Sequence, residues 1–274
     1  TLTVRDSDMV VFGDSNAFSY GVDHKHSFPQ LIPDLKVKAI GVPGYNMVQE
    51  LLLMERLAPQ LKGKLVVWFC YIGNDLYDNL SPEMLRYRCP FVRLSPDRAT
   101  WEIVTSHLSA ESWRCSTGYK TLRRRGYPVI PSLHSDNLLS KRAYSACEAL
   151  IERGHKLCTE YKCHLVIMSL PDPFALKEDR IERARETYQF LKELDAGYPD
   201  HKLRAICAKS GISFVALRQH LDQADYKTSH DHWTERGHRR VAEVLQGLYR
   251  EHSGSRIDPN GLMDLVCSEP GCAL

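Results

Sequence analysis

The sequence predicts an α/β fold, a parallel sheet in three layers with helices on both faces, and three observations carry that expectation. Short apolar runs alternate with amphipathic stretches along most of the 274 residues, the order of strand and helix in such folds. The run at 65–72, Leu-Val-Val-Trp-Phe-Cys-Tyr-Ile, is almost unbroken in apolar residues, as a strand covered on both faces must be. Three runs stop abruptly, at Gly13-Asp14-Ser15, at Gly41-Val42-Pro43-Gly44 and at Gly73-Asn74-Asp75. The carboxyl ends of parallel strands are where open α/β sheets carry their chemistry.

The elements follow in order. Residues 9–12 make a first strand that delivers Ser15 to its end. A short helix through Leu31 and Ile32 leads to a second strand at 36–40, and two glycines around Pro43 then make a turn whose backbone amides can face a ligand. Val48, Leu51, Leu52, Met54, Leu57 and Leu61 recur at helical spacing, and Gly63 is placed to end that helix. After the strand at 65–72 the pattern breaks down over about 81–139. Prolines, scattered aromatics and the triplet Arg123-Arg124-Arg125 mark a cap-like insertion, expected to carry its own helices over the serine's end of the sheet. The triplet reads either as a solvated face or as a site for an anionic group such as phosphate. Order returns with a helix at 140–161, a strand at 164–170 stopped by Pro171-Asp172-Pro173, a charged helix at 178–194, a helical face over 204–209 and a last strand at 211–217. An amphipathic helix at 239–249 buries Val241, Val244, Leu245 and Leu248. One domain of residues 1–250 with an irregular tail at 251–274 is the expected organisation.

Composition narrows the function. A 43% hydrophobic content can fill a full core, and 36 basic against 34 acidic residues leave no global field to draw in nucleic acid or an anionic membrane. Nine cysteines have no metal-ligand spacing, and most read as buried thiols of a reducing compartment, which makes the expected location cytoplasmic; pairing of Cys267 with Cys272 stays open. No apolar stretch is long enough to span a bilayer, and the oligomeric state is not written in the sequence.

Ser15 at a strand end is a candidate nucleophile, or a helix cap with Asp14. Asn74 at another strand end can aim its amide at an oxyanion, or close an Asx-turn. His232, in the loop 229–238 before the last helix, can reach back to a distant serine as general base, or stand solvated; Thr234 is placed to cap that helix. His230, Asp231 and His232 also bring metal-type donors together, without the helical or hairpin spacing such sites use.

Gly13-Asp14-Ser15, the Gly44 turn, Gly73-Asn74-Asp75 and His232-Trp233-Thr234 with Gly237-His238 occur in the order of the four sequence blocks of the SGNH/GDSL hydrolases, which the chain resembles over residues 9–249 apart from the insertion. The resemblance implies a flavodoxin-like sheet, Ser15 as nucleophile, His232 as base, and an oxyanion hole from the Ser15 and Gly44 amides with the Asn74 side chain. It implies an O-acyl ester as substrate, such as an acylated carbohydrate, and no cofactor or metal.

The family's aspartate, two or three residues before the histidine, is replaced here by His230 and Ser229. Asp231 adjoins His232, and in an extended segment it would point away; Asp225 is more distant. Three readings follow: a bent backbone lets Asp231 serve, a carbonyl or His230 orients a dyad, or the site is weakened. Beside the esterase reading stand an O-acyltransferase using the same residues on a hydroxyl acceptor, and a ligand-binding module of this fold.

Overall fold

The structure, a computed structural model, describes residues 3–84, 87–105, 133, 138–187 and 193–257. Five parallel strands form the central sheet: β1 (Met9–Gly13), β2 (Val37–Gly41), β3 (Leu65–Tyr71), β8 (His164–Leu170) and β9 (Ser213–Ala216). Their order, β2-β1-β3-β8-β9, is the flavodoxin-like arrangement, in which the chain reverses direction across the sheet beside β1. The fold class expected from the sequence is therefore the one observed.

Alternation along the strands builds two cores. Val10, Phe12, Val66 and Trp68 face α1 (Met47–Leu57), α3 (Leu138–Glu160) and α5 (Tyr198–Lys209). Met9, Val11, Val67 and Phe69 face Phe28, Ile32, Trp233 and the stripe Val241, Ala242 and Leu245 of α6 (Glu235–Ile257). The central strands are buried throughout because both of their faces are covered, which is why 65–71 reads as one apolar run. Asn46 starts α1 with a capping box, its side chain accepting the Gln49 N–H at 3.0 Å, and Gly63 (φ +75°) closes the connection into β3.

Several boundaries differ from the sequence reading. The described part of the insertion holds two antiparallel hairpins, β4 (Glu83–Met84) with β5 (Tyr87–Arg88) and β6 (Phe91–Leu94) with β7 (Trp101–Val104), where helices were expected. Alternation such as Phe91, Arg93 against Val92, Leu94 is too short to stand out from the irregular sequence around it. Arg123–Arg125 lie outside the described residues. α4 (Glu178–Thr187) begins with the charged run, residues 188–192 lie outside the described residues, and Leu194 is not helical. The last helix continues to Ile257, so residues 251–257 belong to it and not to an irregular tail. Cys70, Cys89, Cys147, Cys158 and Cys207 are buried free thiols and Cys163 is partly buried; Cys115, Cys267 and Cys272 lie outside the described residues. Among the described residues no helix is long and apolar enough to cross a membrane.

Candidate active site

Ser15, Gly44 and Asn74 follow the carboxyl ends of three adjacent strands, with Ser15 on the middle one, because β1 lies between β2 and β3. The pairings Gly13↔Gly41 and Phe12↔Trp68 bring these ends level. After β1 the chain turns at once. The Phe18 N–H donates to the Asp14 carbonyl at 3.0 Å and the Tyr20 N–H to the Ser15 carbonyl at 3.0 Å, while Ser19 takes φ +63°. Gly41 makes that turn fit: a Cβ there would lie 2.0 Å from the Phe18 nitrogen, so no side chain is tolerated where the two segments touch.

Ser15 and His232, 217 residues apart, meet with Ser15 Oγ 2.8 Å from His232 Nε2. The histidine is carried there by a loop that doubles back on itself. Tyr226 and Trp233 form an antiparallel bridge, and the Lys227 N–H donates to the His232 carbonyl at 2.9 Å. Thr234 then caps α6, its Oγ1 accepting the Gly237 N–H at 3.3 Å, and Trp233 is buried as the anchor beneath. His238 is structural: buried, stacked on Phe28, its Nδ1 accepting the Phe28 N–H at 3.4 Å, and held at about 4, mainly by burial.

That doubled-back loop corrects the expectation for Asp231. The segment is bent, not extended, and Asp231 Oδ1 comes within 3.6 Å of His232 Nδ1, on the same side. His230 comes closer still, its Nδ1 lying 2.9 Å from His232 Nδ1 and 3.3 Å from the His232 backbone N–H. A backbone N–H can only donate, so His230 Nδ1 carries the lone pair. His232 Nδ1, facing the same lone pair, is then the protonated nitrogen, and its Nε2 is left to accept from the Ser15 hydroxyl. Asp225 is excluded from this role by its own partners: it takes the Asp222 N–H at 2.8 Å and pairs with Arg236 and Arg240 at 3.4 and 3.5 Å.

Burial is the main cause that lowers the His232 pKa from the ordinary imidazole value; Asp231 opposes it, and the Lys227 charge adds to it. The Tyr20 ring, half exposed, lies 4.8 Å from the imidazole and flanks it with an aromatic surface. The ligand atoms of His230, Asp231 and His232 fall within 4.8 Å of one another, so these three are the described residues best placed to hold a cation; in the arrangement seen, both His232 nitrogens face other protein groups.

Asn74 does not close an Asx-turn. Its side chain makes no cap bond to α2 (Asp75–Asp78); its Nδ2 instead donates to Asp78 Oδ2 at 2.7 Å, which leaves one amide hydrogen over. Gly44 takes φ +80°, and among the described residues neither its N–H nor that of Ser15 has a backbone acceptor. Three buried acids lie nearby, all with raised pKa values, chiefly from burial. Asp14 is held at about 6 and accepts the Asn16 N–H, Glu50 accepts from Trp68 Nε1 at 2.7 Å, and Asp75 accepts the Tyr71 N–H at 2.7 Å. Sequence reasoning missed Glu50 and Tyr71, which sit inside helical or apolar patterns that read as packing.

No protein-family model matches the chain, and no curated protein matches it. Solved structures do. A GDSL-like lipase from Bacteroides thetaiotaomicron is 14% identical, with 92% of each chain covered and a TM-score of 0.48. A carbohydrate acetylesterase family member from Sinorhizobium meliloti is 12% identical over 90% of this chain and 98% of its own, with a TM-score of 0.46. The inhibitor-bound aryl esterase of M. smegmatis is 10% identical over 89% and 98%, with a TM-score of 0.47. Likeness at this level concerns the fold, and the chemistry has to come from the side chains.

Proposed function

We propose that the chain is a serine hydrolase of the SGNH/GDSL type that cleaves an O-acyl ester. The observation that carries this reading is the 2.8 Å contact between Ser15 Oγ and a His232 Nε2 whose lone pair is fixed by His230. Ser15 gives its proton to His232 Nε2 as Oγ attacks the ester carbonyl, forming a C–O bond while the carbonyl π pair moves to oxygen. The N–H groups of Ser15 and Gly44 and the spare Asn74 amide hydrogen receive that oxyanion. On collapse, the imidazolium protonates the departing alkoxide. Water, deprotonated by His232, then attacks the acyl-serine and releases the acid and the Ser15 hydroxyl.

Charge on the imidazolium is met by Asp231 at 3.6 Å and by the His230 lone pair at 2.9 Å, so the pair divides what one aspartate does in a triad: His230 sets the tautomer and Asp231 supplies the negative charge. The test is hydrolysis of p-nitrophenyl acetate, butyrate and octanoate by wild type, Ser15→Ala and His232→Ala, with fluorophosphonate labelling read by mass. Loss of turnover in both variants and labelling confined to Ser15 is the expected result. Equal turnover in wild type and Ser15→Ala, with no label on Ser15, would dismiss the mechanism.

A further inference from the structure

Residues 229 and 230 offer no carboxylate, so the negative charge beside His232 depends on how Asp231, itself half exposed, is held. Tyr71, the last residue of β3, is 4% exposed and points its hydroxyl between two acids, 2.8 Å from Asp231 Oδ2 and 2.8 Å from Asp172 Oδ2. Asp231 therefore spans two groups, one oxygen on the phenol and the other facing His232 Nδ1. Asp172 follows β8, the sheet neighbour of β3, and is fixed by the Phe174 N–H, which donates to its Oδ1 at 2.7 Å. Gly73 leaves room for the ring: a Cβ there would lie 2.5 Å from it.

We infer that Tyr71 and Asp172 are positioning residues that pin the Asp231 carboxylate against His232; this rests on the Ser15–His232 reading above. A phenol has one proton and faces two carboxyl groups, so one acid must itself donate. Burial, and further the Asp231 charge, raise the Asp172 pKa, which favours Asp172 as that acid. With Asp172 in that role, the Tyr71 O–H is left to donate to Asp231. His232 is faced by Ser15 and Tyr20 from the turn after β1 and by His230, Asp231 and Lys227 of its own loop; Asp231 is faced by Tyr71, Asp172 and Asp14.

The experiment compares Tyr71→Phe, Asp231→Asn, their double variant, Asp172→Asn and Asp172→Ala. Two readouts are taken: the pH profile of p-nitrophenyl acetate turnover, and the His232 imidazole titration by NMR. Tyr71→Phe and Asp231→Asn should each lower the His232 pKa by up to about one unit, which is about tenfold in kcat with KM held. The double variant should match Asp231→Asn alone. Asp172→Asn, whose amide still donates to the phenol, should keep wild-type behaviour, and Asp172→Ala should resemble Tyr71→Phe. Losses that multiply in the double variant, or an unmoved His232 titration in Tyr71→Phe, would overturn the inference. The NMR titration does not need turnover, so the clamp is judged even if Ser15→Ala shows the hydrolase reading to be wrong.

Discussion

Replacing Asp14 with Asn should reverse part of the pH dependence of stability. Asp14 is 5% exposed, and burial holds its carboxyl at about 6 against 3.8 for a solvated aspartate. The folded state thus binds this proton more tightly than the unfolded chain. Its contribution to stability is complete below pH 3.8 and is lost as pH rises through about 6. A difference of roughly 2 units corresponds to about 3 kcal/mol at 1.36 kcal/mol per unit. An asparagine keeps the acceptor for the Asn16 N–H, 2.9 Å away, and cannot ionise. Urea unfolding of wild type and Asp14→Asn between about pH 4 and pH 8 reads the effect as a difference, to which relief of the Asp14 charge on Glu50 and Asp75 adds in the same direction. The variant should gain on wild type by up to about 3 kcal/mol across that range, a shift of the urea midpoint of about 1 M or more. A difference that stays constant with pH would mean that Asp14 titrates alike folded and unfolded, and the account of its burial would be wrong.

His238 should behave in the opposite sense. Its folded value of about 4 lies below the ordinary 6.5, so stability is lost as pH falls through that interval, and His238→Asn should flatten the acid side of the same urea series. In kinetics, the acid limb of kcat/KM should lie below 6.5 because His232 is lowered, and Lys227→Met should move it upward; a profile over several pH values on an acetate ester decides both. Asn74→Ala should cost about 10² to 10³ in kcat if its spare hydrogen meets the oxyanion, with KM little changed. Gly41→Ala should abolish serine labelling by fluorophosphonate and lower the melting temperature, since its Cβ would sit on the Phe18 nitrogen.

The sheet was legible because its central strands are apolar on both faces and stop at turns marked by glycine after β1 and β3 and by proline after β8; β8 was read to the residue. Ser15 and His232 were legible because they stand at a strand end and a helix start, places where side-chain type carries information. The partner of His232 was not. Whether Asp231 faces the imidazole depends on the Tyr226–Trp233 bridge, a contact between residues whose own sequence reads only as loop and aromatic core. Tyr71 was hidden for a related reason: within Leu-Val-Val-Trp-Phe-Cys-Tyr it counts as another buried ring, and only the folded chain shows its hydroxyl between two acids. The hairpins at Glu83–Met84 to Trp101–Val104 were missed because strands this short have too few residues to display a period.

The 217-residue separation of Ser15 from His232 has a kinetic consequence. β1 can pair with β2 and β3 using residues 9–71, but His232 arrives only when the last described helix docks Trp233 and Val241 onto the opposite face of the sheet. Closing so long a loop is among the slow steps of chain folding. During refolding from urea, sheet formation should therefore be complete before Ser15 regains its reactivity, and a probe of the serine serves as a clock for the docking of the carboxyl-terminal helix.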